Sequence, residues 1–143
     1  MGIIEAHAPW DIVSIDIWGP VRASAKGNRY LLTVVDGFTK FARAIALPRK
    51  EAVFIAEALR RDVFSYFGMP KRIHSDKGTE FCNEVLAELC KLYGIEKSST
   101  TPYHPQGNSY AERIHQFYKN AVSSFIKGDQ LIWDELIIDL MLV

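Results

Sequence analysis

Three carboxylates occupy positions that suggest metal-dependent chemistry. Asp76 follows a short apolar strand and precedes a glycine-containing turn, at the carboxyl end where open α/β sheets tend to bind ligands. Glu112 comes after thirty-five intervening residues, where a polar loop opens into a helix. Asp16 lies far upstream in a strand rich in isoleucine, where aspartate is disfavoured and a buried charge is costly without a partner or metal. We expect the three to form one site.

A set of three carboxylates favours hard divalent cations, Mg²⁺ or Mn²⁺, over zinc, which prefers histidine and thiolate ligands. Two such ions about 3.5–4 Å apart can activate an attacking oxygen and stabilise a leaving oxygen on phosphorus. The sequence shows no arrangement of a nucleophilic serine or cysteine with a base. The residue set therefore predicts metal-dependent phosphoryl transfer on a nucleic-acid backbone.

Each carboxylate also has a purely structural interpretation. Asp16 could face solvent from its strand, and Asp76 could cap a turn over the following Lys-Gly pair. Ser109 to Glu112 fits the Ser-x-x-Glu capping box, in which the glutamate bonds back to its own helix N-terminus. Asp36 is as apolar-flanked as Asp16, but an Asp-Gly hairpin turn explains it fully.

The first half of the chain predicts an antiparallel meander of three strands over residues 10–18, 30–35 and 41–47. Alternation places Val13, Ile15 and Ile17 on one face of the first strand. The same alternation places Asp16 on the opposite face, together with Ile12, Ser14 and Trp18.

The pattern then changes to helical periods separated by short strands. Helices are predicted over 51–67, 79–93, 109–126 and from about 129, with strands over 71–75 and 95–100. Gly68 is predicted to cap the first helix and Thr79 to begin the second. The order β-β-β-α-β-α-β-α-α indicates an α/β sheet that is antiparallel first and parallel later. The predicted inward side chains are Val53, Ile55, Ala56, Leu59, Val63, Phe64 and Phe67, then Phe81, Val85, Leu86, Leu89 and Leu92.

Length and composition suit one globular domain. The chain has 143 residues, 48% of them hydrophobic, and its seventeen basic and seventeen acidic side chains cancel. It shows neither a secretory signal nor an apolar run long enough to span a membrane. Cys82 and Cys90 are predicted to be buried thiols roughly 12 Å apart along one helix, which favours a reducing compartment. Residues 1–9 are interpreted as a lead-in and 10–143 as the domain, cut within its last element.

Three segments in this order resemble the catalytic core of retroviral and retrotransposon integrases, the D,D-35-E group of RNase H-like enzymes, and most of all gypsy-type elements. They are Trp10-Asp11-Ile12-Val13-Ser14-Ile15-Asp16-Ile17-Trp18-Gly19-Pro20, His74-Ser75-Asp76-Lys77-Gly78-Thr79-Glu80-Phe81, and Thr101-Pro102-Tyr103-His104-Pro105-Gln106 followed by Ala111-Glu112-Arg113.

The resemblance implies a five-stranded mixed sheet flanked by helices and two Mg²⁺ or Mn²⁺ ions, with no zinc in this fragment. Asp16 and Asp76 would hold the first ion, and Asp16 and Glu112 the second. The implied reaction is 3′-end processing by water and then strand transfer into target DNA, without a covalent enzyme intermediate.

The resemblance also implies DNA contacts on the loop before the last motif. Tyr103 could stack on a base, while the amides of Gln106 and Asn108 could bond base edges or phosphate. The run Gly107-Asn108-Ser109-Tyr110 differs from the Ser-Asn-Gly-Gln-like run expected of a gypsy-type element, although its length is kept.

The helix after this loop predicts a second group of contacts. Glu112, Gln116 and Lys119 are spaced i, i+4 and i+7, so they form one stripe along the helix. We expect Gln116 to contact DNA and Lys119 to reach a phosphate beside the metals. His104 and His115 are expected on the surface.

Two other functions share these features. A bacterial-type D,D-E transposase has the same triad and spacing, and a domesticated, inactive copy could serve as a DNA-binding module. An RNase H nuclease would want a further carboxylate on the first helix, which Glu51 and Glu57 match only loosely. Expected partners are element-end and target DNA and further copies of the chain, as a homodimer or higher multimer. No membrane is expected, and work on chromosomal DNA implies the nucleus in a eukaryotic host.

Overall fold

The central strand β1 (Ile12–Trp18) joins the two halves of a mixed sheet in this computed structural model, which describes residues 8–75, 80–98 and 105–142 and the side chains of 8–75, 87–96 and 110–142. It pairs antiparallel with β2 (Tyr30–Asp36), which pairs antiparallel with β3 (Ala42–Leu47). On its other side it pairs parallel with β4 (Arg72–His74), which pairs parallel with β5 (Glu96–Ser98). The order β3-β2-β1-β4-β5 confirms the predicted mixed sheet.

Helices flank this sheet in the predicted chain order. They are α1 (Ala52–Leu59), a π-helical turn (Arg60–Phe64), α2 (Ser65–Phe67), α3 (Glu80–Tyr93), α4 (Pro105–Lys127) and α5 (Trp133–Met141). None of the helices in the described ranges has the length and apolarity needed to cross a membrane.

Two apolar clusters lie on opposite faces of the sheet. The first contains Val13, Ile15 and Ile17 of β1 packed with the inward residues of α1 and α3. The second contains Leu31 and Ala44 packed with α4 and α5. The alternation predicted for β1 is therefore confirmed, and it leaves Asp16 on the face that α4 covers.

The π-helical turn changes which side chains the first helical segment buries. Ile55, Ala56 and Leu59 are buried as predicted, but Val53 is 70% exposed and Phe67 43% exposed. Val53 lies 200° around the helix from Ile55, so the inward prediction was wrong there. The wider π turn rotates Phe67 off the core face, and its ring packs instead on those of Trp10 and Phe41, with centroids 5.4 and 4.9 Å away.

Helix α3 is held to α1 by its last turns. Leu89 and Cys90 are buried, and the Tyr93 hydroxyl donates to the carbonyl of Ala56 at 2.6 Å. Leu92 was predicted to point inward but is 54% exposed, because Tyr93 takes the adjoining position against the core. The buried Cys90 thiol is confirmed. Thr79 and the side chains of Phe81, Cys82, Val85 and Leu86 lie outside the described residues.

Glycines with positive φ follow the first helical segment and the strand β1. Gly68 ends the first helical segment with φ of 86°, which confirms its predicted capping role. Gly19 follows β1 with φ of 138°, and a Cβ there would lie 2.6 Å from the carbonyl oxygen of Arg29. The connection from β1 to β2 therefore requires glycine at position 19.

We expect Gly19→Ala to lower the free energy of unfolding by about 3 kcal/mol, because the strained φ and the steric overlap with backbone act together. Gly27→Ala is the matched control in the same connection, since its φ is 91° but a Cβ there meets nothing within 4 Å. It should cost only about 1 kcal/mol. Urea denaturation followed by circular dichroism measures both, and equal losses would contradict the steric argument.

Candidate functional site

Asp16 forms the centre of the site. Its carboxylate faces α4, where Lys119 Nζ lies 2.6 Å from Asp16 Oδ2, and the two side chains are only 24% and 25% exposed. Asp16 Oδ2 is buried and accepts no hydrogen bond with proper geometry from the part of the chain that the structure describes. The charge on this oxygen is thus balanced by the Lys119 ammonium.

Helix α4 presents Lys119 because of the spacing of its buried residues. Ala111, Tyr118 and Val122 are buried at i, i+7 and i+11, and they seat the helix on β2 and α5. Lys119 follows Tyr118 at the edge of this face, and its ammonium reaches Asp16 of β1. Burial raises the pKa of the Tyr118 phenol within the apolar cluster.

His115 belongs to the same buried face and was wrongly expected on the surface. It is 3% exposed, with Nε2 3.0 Å from the hydroxyl oxygen of Ser14. Its Nδ1 bonds the hydroxyl of Thr33. The signal was present in the sequence, because His115 follows Ala111 by four residues and precedes Val122 by seven, on the apolar stripe of α4.

Glu112 does not lie at the mouth of its helix. The prediction began this helix at Ser109, whereas α4 begins at Pro105, so Ser109 lies within the helix and Glu112 in its third turn. The capping-box interpretation is therefore wrong, because a Ser-x-x-Glu box requires the serine to precede the helix. Proline at the first helical position explains the earlier start, since its missing N–H has no partner there anyway. Glu112 is exposed on α4, one turn before His115.

The other predicted DNA contacts are placed in different ways. Gln116 is exposed on α4 and its amide nitrogen donates to Asn120 Oδ1 at 2.9 Å. Gln106 and Asn108 belong to the first turns of α4 rather than to a loop, while their side chains lie outside the described residues. Tyr103 and Asp76 also lie outside them. Their roles remain predictions.

A complete metal cluster is not formed by the described side chains alone, among which no group of three His, Cys, Asp or Glu converges. The triad includes Asp76, so its convergence stays a prediction. Asp36 behaves as the sequence suggested: it is 1% exposed and accepts hydrogen bonds from the backbone of Trp10, Phe38 and Thr39. These hydrogen bonds give its carboxylate a structural role in and beside the hairpin turn.

Comparison with known families gives one matching model, the integrase core domain, over residues 6–105. Among curated relatives, the retrovirus-related Pol polyprotein from transposon 412 of Drosophila melanogaster is 33% identical over 128 residues, which are 90% of this chain. The Pro-Pol polyprotein of Simian foamy virus type 3 is 32% identical over 129 residues, also 90% of this chain. The chain spans 10% and 11% of these two polyproteins.

Solved structures show the same fold at lower identity. A magnesium complex of the HTLV-2 integrase catalytic core domain, in a trimeric form, matches 96% of this chain and 86% of its own with a TM-score of 0.65 and 21% identity. The intasome of simian T-cell lymphotropic virus, in complex with PP2A regulatory subunit B56 gamma, matches 99% of this chain and 50% of its own with a TM-score of 0.68 and 18% identity.

Proposed function

Because this chain belongs to the integrase core domain family, we propose that it catalyses metal-dependent phosphoryl transfer on DNA, processing a 3′ end and joining it to target DNA. The observation that carries the proposal is the Asp16 carboxylate, which is held on the central strand with a buried oxygen and a cationic partner. The family match does not favour the transposase or the inactive copy.

The register of the sheet supports Asp76 as the second carboxylate. Strands β1 and β4 pair Ile12 with Arg72, Val13 with Ile73 and Ser14 with His74. Asp16 and Asp76 each follow the last of these pairs by two residues. In a parallel pair, equal steps along both strands lead to neighbouring positions at the same edge of the sheet. The observed pairing is thus the one that a shared site would need.

The described donor atoms fit a hard divalent cation. Asp16 offers a carboxylate, and oxygen ligands are those that Mg²⁺ and Mn²⁺ prefer. Asp16, Asp76 and Glu112 would hold the ions. When bound, two such ions supply the charge that activates the attacking oxygen and stabilises the leaving one.

The ion pair between Lys119 and Asp16 indicates a role for Lys119 in this chemistry. Its ammonium balances Asp16 in the structure, and its long stem allows it to turn toward a DNA phosphate. A protein with no net charge must concentrate positive charge locally to bind a polyanion. Lys119 therefore orients the phosphate, while Asp16 is left to the metal.

DNA ends, target DNA and further copies of the chain are the proposed partners. The structural relatives are described as dimeric and trimeric catalytic cores and as an intasome. Joining to chromosomal DNA would take place in the nucleus of a eukaryotic host. Contacts from Gln106, Asn108 and Gln116 would hold the DNA along the exposed side of α4.

The proposal is tested with a form of the protein extended at both ends, a short duplex ending in the element's sequence, and Mn²⁺. We expect strand transfer products, and Asp76→Asn should reduce their rate by about 10³-fold or more, because a neutral amide is a poor ligand for a hard cation. Calorimetry should show that the variant also loses Mn²⁺ binding. Unchanged strand transfer in Asp76→Asn would overturn the metal assignment.

A further inference from the structure

His115 joins three elements at the point where they surround Asp16. It comes from α4 and hydrogen bonds to Ser14 of β1 through Nε2 and to Thr33 of β2 through Nδ1. All three side chains are buried, at 3%, 7% and 2% exposure. A polar residue on an otherwise apolar helix face is costly unless both of its ring nitrogens are satisfied, and these two hydroxyls satisfy them.

Both hydroxyls lie next to Asp16 on the same face of the sheet. Ser14 precedes Asp16 by two residues on the same face of β1, and Thr33 is its cross-strand partner in β2. The imidazole therefore bonds to both strands directly beside the carboxylate. One helical turn later on α4, Lys119 contacts Asp16 itself.

Where His115 meets β1 and β2, hydrogen bonds add to the apolar packing that holds α4 on the sheet. Each hydroxyl can donate or accept, so either neutral tautomer of the imidazole makes one bond of each kind. Apolar contacts allow a helix to slide slightly on a sheet. Two hydrogen bonds to two different strands, one donated and one accepted by the imidazole, fix both the position of α4 along its axis and its rotation about that axis. The position of α4 along its axis determines where Glu112 and Lys119 lie relative to Asp16.

We propose that His115 is a positioning residue of the phosphoryl-transfer site, setting α4 on β1 and β2 so that Glu112 and Lys119 meet the metal-binding face of Asp16. This role rests on the proposed function. It differs from catalysis by His115 itself, because the ring is buried and both nitrogens are engaged by protein hydroxyls. Groups that orient metal ligands typically affect affinity or activity by 10- to 100-fold.

The test compares His115→Leu with His115→Asn in the full chain and in its extended form. Leucine fills the space but removes both hydrogen bonds, and we expect Mn²⁺ affinity to fall about tenfold and turnover at saturating Mn²⁺ and DNA by about tenfold or more. Asparagine keeps one donor and one acceptor and should recover most of both. The Michaelis constant for DNA should change less than turnover, because exposed phosphate contacts on α4 are retained.

Val122→Ala is the matched control, since Val122 is fully buried on the same face of α4 but lies away from Ser14 and Thr33. It should lower stability without changing Mn²⁺ affinity. The inference is overturned if His115→Leu keeps Mn²⁺ affinity and turnover within twofold, or if Val122→Ala reproduces its losses. Asp16→Asn separates the two levels: if it too leaves Mn²⁺ binding intact, the proposed metal site itself is wrong.

Discussion

Asp16→Asn is expected to abolish strand transfer, by about 10³-fold or more, while the fold stays nearly as stable as before. The loss of activity follows because the amide cannot supply the negative oxygen that a divalent cation needs. Stability changes little because the amide has nearly the shape of the carboxylate, and the long Lys119 side chain can turn its ammonium to water. Single-turnover strand transfer and thermal unfolding measure the two quantities.

Asp36→Ala is the informative control, because Asp36 also lies on a strand next to β1 but has a structural use. Its carboxylate accepts bonds from the backbone of Trp10, Phe38 and Thr39, so its removal should cost about 2 kcal/mol or more. Strand transfer below the unfolding transition should remain within a few-fold of the unchanged protein. A strong loss of stability in Asp16→Asn, with activity retained, would contradict the assignment.

The fold was largely predictable because its elements are set by local periodicity. The alternation around Asp16 correctly separated the two faces of β1, and Gly68 correctly ended the first helical segment. The outward position of Phe67 was not predictable. A continuous α-helix would place Phe67 eleven residues after Ala56 on the same face, and the single π turn between them rotates it outward.

Candidate site residues were easier to select from charged side chains in unexpected places than from polar side chains that are buried by hydrogen bonding to one another. Asp16 was selected as a candidate because an aspartate is disfavoured in that strand, and Lys119 because of its spacing from Glu112; the structure brings these two side chains together. His115 was wrongly expected on the surface because a histidine is normally exposed unless buried partners satisfy its ring nitrogens. Ser14 and Thr33 are distant in sequence, and only the sheet register brings them together.

Trp133 of α5 packs against α4, the helix that carries Lys119 and His115. It is fully buried among residues that include Tyr118 and Val122 of α4, and its indole nitrogen donates to the carbonyl of Arg22 at 3.2 Å. The next residue, Asp134, accepts hydrogen bonds from Ser24 and Asn28 at 2.6 and 2.7 Å. The start of α5 is thereby fixed to the connection between β1 and β2, and α5 packs on both β3 and α4.

Trp133→Ala should lower the free energy of unfolding by about 3–5 kcal/mol, since it removes a large buried ring and leaves a cavity that the sheet cannot fill. For a domain of this size the midpoint of thermal unfolding should fall by roughly 10 °C. Trp133→Phe keeps most of the apolar contact and loses only the hydrogen bond to Arg22, so it should cost far less. Circular dichroism gives both midpoints, and a loss below about 1 kcal/mol in Trp133→Ala would contradict the packing.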